Sequence, residues 1–187
     1  MYFPSRKTRA LEGILDHPLT IIEAPMGYGK TTAVREYLRN AGVDMLWQRV
    51  YDSSTVSFWD GFARLFCELD GDRSQSLVHL CFPHDDISRN EVIKLIKDIK
   101  LPEKTVLVID DYHHVNIHRL NSFIELLQKT NHLHIVLITR IAKFQRLEEL
   151  VLKGYLHNIT KEVFELMPKE IMAYYKTCGI NLNYREA

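Results

Sequence analysis

Short apolar runs alternate along the chain with amphipathic stretches, the arrangement expected of a parallel sheet flanked by helices. Five runs predict strands at Leu19–Glu23, Met45–Val50, Thr105–Ile109, Leu133–Thr139 and Leu156–Thr160. The third and fourth contain Val-Leu-Val-Ile and Ile-Val-Leu-Ile-Thr, almost continuously apolar and β-branched. Strands covered on both faces have that composition, so these two are expected at the centre. Residues Thr31–Arg39 follow the first strand directly as a helix. Phe58, Phe62, Leu65, Phe66 and Leu69 recur at three- and four-residue intervals, one face of a helix that Ser53, Ser54 or Thr55 can cap. Val92, Ile96 and Ile99 make a second such face, and Leu120, Phe123, Ile124 and Leu127 a third. Leu147, Leu150 and Val151 make a shorter one, closed by Gly154. Gly71–Asp86 shows no such period and predicts a surface loop. Glu170–Thr177 reads as a helix stopped at Cys178-Gly179, and residues 183–187 as the start of another. A chain that ends as an element begins reads as a piece of something longer.

Composition narrows the class. The 24 Lys and Arg balance 24 Asp and Glu, so the chain lacks the basic excess of a phosphate-backbone binder. With 46% apolar and 26% charged residues, a disordered chain is excluded. The 187 residues suit one domain, or one domain plus a fragment of a second. No apolar run approaches the roughly 18 residues of a membrane span, and the first residues lack a signal's apolar core. Cys67, Cys81 and Cys178 are an odd set without framework spacing, which points to reduced thiols in a soluble, cytoplasmic protein.

The sharpest chemical signal is Ala24-Pro-Met-Gly-Tyr-Gly-Lys-Thr-Thr32, between a strand and a helix, the context a phosphate loop requires. Gly27 and Gly29 permit backbone conformations that turn successive N–H groups onto phosphate oxygens. The helix that follows presents its positive end to the same anion. Lys30 can reach the terminal phosphates and the Thr31 hydroxyl can ligate Mg²⁺. Ala24 stands where the strict motif has its first glycine, so the match is to the relaxed form.

Val106-Leu-Val-Ile-Asp110-Asp111 is an apolar strand ending in two carboxylates. At such a strand end the first acid holds Mg²⁺ and the second can orient or deprotonate an attacking water. Asp at position 111 is one methylene shorter than the Glu that many fast ATPases carry, which suits slow turnover. Asp111 can equally cap the turn that follows. Leu137-Ile-Thr-Arg140 ends the fourth strand with a polar residue and a cation. Strand carboxyl ends face the ligand in a parallel sheet, so Thr139 or Arg140 can meet the terminal phosphate. A surface arginine after a strand gives the same pattern.

Together, residues 24–32, Val-Leu-Val-Ile-Asp-Asp-Tyr-His at 106–113 and Val-Leu-Ile-Thr-Arg at 136–140 resemble the nucleotide-binding domain of STAND-class signal-transduction ATPases. The nearest branch is the large MalT-like regulators of the LuxR family, with Trp47 and Phe58-Trp59 matching the second strand and the helix after it. Met26 and Ala33 depart from the usual residues without touching phosphate chemistry. The resemblance implies an α/β, three-layer P-loop NTPase fold with a five-stranded parallel sheet in the order 5-1-4-3-2. It implies a nucleotide-binding domain over residues 1–163 and the start of a helical region over 164–187. It further implies ATP or ADP with Mg²⁺ as a switch, and self-association of the full-length protein when ATP is bound. DNA would be met only through a C-terminal domain absent from this chain. The expected nucleotide contacts are Gly27, Tyr28, Gly29, Lys30, Thr31, Thr32 and Asp110, with Thr31 and Asp110 holding Mg²⁺ and Asp111 and Arg140 acting in hydrolysis. Tyr2, Phe3 and Arg6–Arg9 are placed near the adenine by the resemblance alone.

His79, Cys81 and His84 offer three zinc-type ligands without a fourth, so a loop with scattered side chains is the better reading. Some of His113, His114, His118, His132 and His134 are expected near the nucleotide, with ordinary surface placement as the default. Two other functions fit the same loop. A stand-alone phosphotransferase would bring an Arg-rich lid, whereas Gly71–Asp86 carries only Arg73. A scaffold without turnover would keep the loop and lose hydrolysis.

Overall fold

The computed structural model describes residues 4–114, 117–127, 133–142 and 147–183. The strands are β1 (Leu19–Glu23), β2 (Asp44–Arg49), β3 (Thr105–Asp110), β4 (Leu133–Thr139) and β5 (Leu156–Ile159). All pair in parallel, in the order β2-β3-β4-β1-β5, which is the expected order read from the other edge. The helices are α1 (Ser5–Glu12), α2 (Lys30–Ala41), α3 (Thr55–Leu69), α4 (Gly71–His79), α5 (Asp86–Asp98), α6 (Ile117–Leu127), α7 (Leu147–Leu152), α8 (Lys161–Phe164) and α9 (Pro168–Thr177). A 3₁₀ turn over Tyr112–His114 follows β3.

Two separate cores explain the continuous apolar runs. A strand's successive side chains point to opposite faces. Leu107 and Ile109 of β3 therefore join Ile135 and Leu137 of β4 in one core, while Val106 and Val108 join Val136 and Ile138 in the other. The first core is covered by Phe58, Phe62 and Phe66 of α3, Leu77 of α4, Ile96 of α5 and Phe123 of α6. Its aromatic centre is tight, with Phe62 ring centroids 4.9 Å from Phe66 and 5.3 Å from Phe123. The second core is closed by Leu11 of α1, Val34 and Leu38 of α2, and Phe164 of α8. The expected phenylalanine face of α3 is thus core, and Ser54 caps that helix by accepting from Ser57 N at 3.2 Å.

Gly71–Asp86 is a correction, because its first nine residues form α4. Few apolar residues lie in that stretch, so it lacks a readable period; what holds it is tertiary. Leu77 and Ser74 are buried, and Trp59 Nε1 donates to the carbonyls of Leu77 at 3.2 Å and Leu80 at 2.6 Å. The following helix starts at a capping box in which Asp85 accepts from Ser88 N at 2.8 Å. The side chain of Arg73, residues 1–3, His132 and residues 184–187 lie outside what is described, as does the side chain of His118. No helix of the described residues is long and apolar enough to cross a membrane.

Candidate functional site

The sheet's carboxyl edge gathers the site. β1 runs directly into the phosphate loop, and α2 leaves it at Lys30. Gly27 and Gly29 have φ of 86° and 76°, left-handed values that side-chain-bearing residues resist, so these positions explain why the motif has glycine there. Tyr28 packs on the second core, which pins the loop's outer turn, while Thr32 is exposed.

Lys30 is buried, 9% exposed, and its Nζ donates to the carbonyls of Ala24 at 2.6 Å and Pro25 at 2.9 Å. Burial lowers its pKa from the ordinary lysine value, opposed by the charges of Asp110 and Asp111 and reinforced by Arg140. Beside it, Thr31 Oγ1 donates to Asp110 Oδ1 at 3.2 Å and Oδ2 at 3.1 Å. Asp110 is 3% exposed and also accepts from Asp111 N at 3.0 Å. Burial raises its pKa above the usual carboxylate range, only partly countered by the Thr31 hydrogen bond. A half-buried hydroxyl beside a buried carboxylate, both hard oxygen donors, fits a magnesium ion. The structure therefore brings Lys30, Thr31 and Asp110 together as the sequence led one to expect.

Asp111 adopts φ 57°, a left-handed conformation for a residue other than glycine. Asp tolerates it better than most residues, and such outliers gather at functional sites. Arg49 Nε and Nη2 both lie 3.0 Å from its Oδ2. Arg49 was not among the expected site residues. The pattern predicts a strand running to Val50, which hides Arg49 within it; the strand ends at Arg49, in register with Asp110. The signal that could have found it is the one that marked Arg140, a cation at a strand's carboxyl end. Arg140 is exposed after β4, with Nη2 3.5 Å from Met26 Sδ, so it leans over the phosphate loop. Thr139 is buried and donates instead to Ile141 O at 2.8 Å.

The turn after Asp111 carries His113 and His114, whose ring centroids are 4.2 Å apart. Burial, then the charges of His114 and Arg140, lower the His113 pKa from its ordinary value, so its ring is neutral near pH 7. His134 lies elsewhere, its Nδ1 3.0 Å from His17 O. Arg6 is also engaged away from the loop, donating to the carbonyls of Glu162 at 2.6 Å and Glu165 at 2.5 Å and pairing with Glu170 at 3.2 Å. A cleft of about 310 Å³ opens between the ends of β1, β4 and β5, lined by Ala24, Pro25, Arg140, Thr160 and Lys161 with flanking Glu23 and Glu162.

Known structures share this architecture. A Walker-type ATPase of Pyrococcus abyssi superposes with TM-score 0.56 at 10% identity, over 99% of this chain and 61% of its own. A STAND protein with a tetratricopeptide-repeat sensor from Pyrococcus horikoshii superposes with TM-score 0.67 at 14% identity, over 99% of this chain and 27% of its own. The chain thus spans under two thirds of either protein, and at these identities the likeness is one of fold. No curated protein matches the sequence. The family model described as AAA domain matches residues 15–147, from just before β1 to the start of α7 and across the phosphate loop, Asp110 and Arg140. The chain therefore belongs to the AAA domain family and is a P-loop ATPase domain.

Proposed function

We propose that this chain is the ATP/ADP-binding switch domain of a MalT-like regulator of the LuxR family, with slow Mg²⁺-dependent hydrolysis. The observation that carries the reading is Thr31 Oγ1 against both oxygens of buried Asp110, beside Lys30 at the mouth of a two-glycine loop. In this role the loop backbone with Gly27, Tyr28, Gly29 and Thr32 cradles phosphate. Lys30 exchanges the Ala24 and Pro25 carbonyls for phosphate oxygens. Thr31 and Asp110 hold Mg²⁺, which supplies charge neutralisation for the phosphates.

Arg140, already over the loop, meets the terminal phosphate, and Asp111 positions water when Arg49 releases it. That ion pair favours slow turnover, because the carboxylate is held by a cation. Regulation rather than metabolism is supported by the fold shared with a STAND protein carrying a sensor, and the zero net charge supports a domain that is not itself the DNA reader. Residues 1–163 form the nucleotide-binding unit and 164–187 begin the helical region after it. DNA binding belongs to a separate C-terminal domain, self-association to the ATP-bound full-length protein, and the setting is cytoplasmic.

Single-turnover phosphate release together with ATP and ADP titration tests the reading. Saturable binding of both nucleotides with release much slower than binding is expected. Rapid release that depends on a small-molecule acceptor would make the protein a phosphotransferase instead.

A further inference from the structure

A second group of ligands lies at the same edge of the sheet. Asp111, His113 and His114 each place one ligand atom so that the three lie within 4.8 Å of one another. The turn that carries them is anchored. Tyr112 is 3% exposed, and its hydroxyl donates to Asn121 Oδ1 on α6. The positive φ at Asp111 turns the chain so that its carboxylate and the two rings reach one place. A second observation is independent of that spacing. Both ring nitrogens of His113 are buried, and among the described residues neither has a hydrogen-bond partner. A neutral imidazole carries one donor and one acceptor, and native structures rarely leave buried polar atoms unpaired.

We propose that Asp111, His113 and His114 bind a divalent transition-metal ion of the zinc class. The chemistry separates this site from the one at Thr31 and Asp110. Two imidazoles and one carboxylate suit zinc, cobalt or nickel, whereas magnesium prefers oxygen ligands and keeps its waters. Three protein ligands leave at least one coordination position for water or another group. The ligand atoms lie within 4.8 Å of one another, and metal–ligand distances near 2 Å place ligands of one ion within about 4 Å, so any closing shift is on the order of 1 Å. The exposed ring of His114 has the freedom for that shift. The ion competes with Arg49 for the Asp111 carboxylate, or takes the oxygen that Arg49 leaves. If Asp111 positions water, as proposed above, the bound ion slows hydrolysis. Metal binding itself does not depend on that role.

Cobalt is the probe, because a Co²⁺ site with nitrogen ligands gives visible absorption bands. The protein is titrated with Co²⁺ in excess Mg²⁺ without nucleotide, and then with competing Zn²⁺. Expected are one saturable site per chain, displacement by Zn²⁺, and affinity lowered at least about tenfold in His113→Ala and in His114→Ala. Because His114 is exposed, its variant keeps the test valid should His113→Ala fail to fold. Absence of saturable Co²⁺ bands, or bands unchanged in His114→Ala, overturns the proposal. Bands lost only when His79, Cys81 and His84 are replaced also overturn it, by placing the metal there. Nucleotide affinity in His114→Ala should stay at the parent value, so failure of the metal site is distinguishable from failure of the nucleotide site.

Discussion

Replacing Asp110 with Asn should stabilise the protein and disable it at once. Asp110 is 3% exposed; Thr31 Oγ1 donates to both its oxygens and Asp111 N to one of them. Taking a carboxylate out of water costs several kcal/mol. Hydrogen bonds to a charged acceptor contribute about 1.5–3 kcal/mol each, against roughly 0.5–1.5 for a neutral one. The bonds at Asp110 therefore offset most of the burial, and the raised pKa says that a deficit remains. Asn keeps the shape and removes the charge, so a gain of about 1 kcal/mol is expected, or about 2–4 °C in Tm for a chain this size. The sign with pH follows from a folded-state pKa above the unfolded one. The advantage of the neutral form is fully present below the unfolded pKa, near about 4, and lost as pH rises through the folded value. The parent and Asp110→Asn should thus have similar Tm near about pH 4 and differ most at neutral pH. Thermal unfolding followed by circular dichroism over that range, without nucleotide, reads both. Adding Mg·ATP should reverse the order, since a ligand at a hundred times its Kd adds about 2.7 kcal/mol to the parent alone. A variant less stable than the parent at pH 7 without ligand would refute the reasoning. So would a difference in Tm that does not change with pH.

Two further substitutions test the division of labour at the edge of the sheet. Asp111→Asn should leave ATP affinity within about twofold of the parent while slowing single-turnover phosphate release about a hundredfold, the usual scale for losing a positioned base. Undiminished release would remove Asp111 from the reaction. Arg140→Ala should weaken ATP about tenfold more than ADP in paired titrations, because a charge-assisted contact to the terminal phosphate is absent with the diphosphate. Equal effects on both nucleotides would place Arg140 elsewhere.

The central sheet was legible because burial on both faces leaves an unbroken β-branched run, and Val106–Ile109 and Ile135–Ile138 divide between two cores as that pattern requires. Lys30, Thr31 and Asp110 were legible because backbone geometry and ligand chemistry restrict which residues such a loop and strand end can carry. The α4 helix was not, since Leu77 and Ser74 are its buried positions and Trp59 secures its end from another helix. Arg49 was missed through a one-residue strand boundary, which decides whether a side chain stands within the ladder or at the ligand edge. The convergence of Asp111, His113 and His114 depends on a positive φ at a residue other than glycine. Residue types alone do not announce that conformation.

The central claim is that the loop, Lys30 and the Thr31–Asp110 pair bind Mg·nucleotide. The most direct test is calorimetric titration of ATP and ADP, with and without Mg²⁺, into the parent and Lys30→Ala. Saturable 1:1 binding in the parent, strengthened by Mg²⁺ for ATP and weakened at least about tenfold in the variant, or ~1.4 kcal/mol, is the predicted result. Equal affinity in the two proteins, or no binding to either, would contradict it.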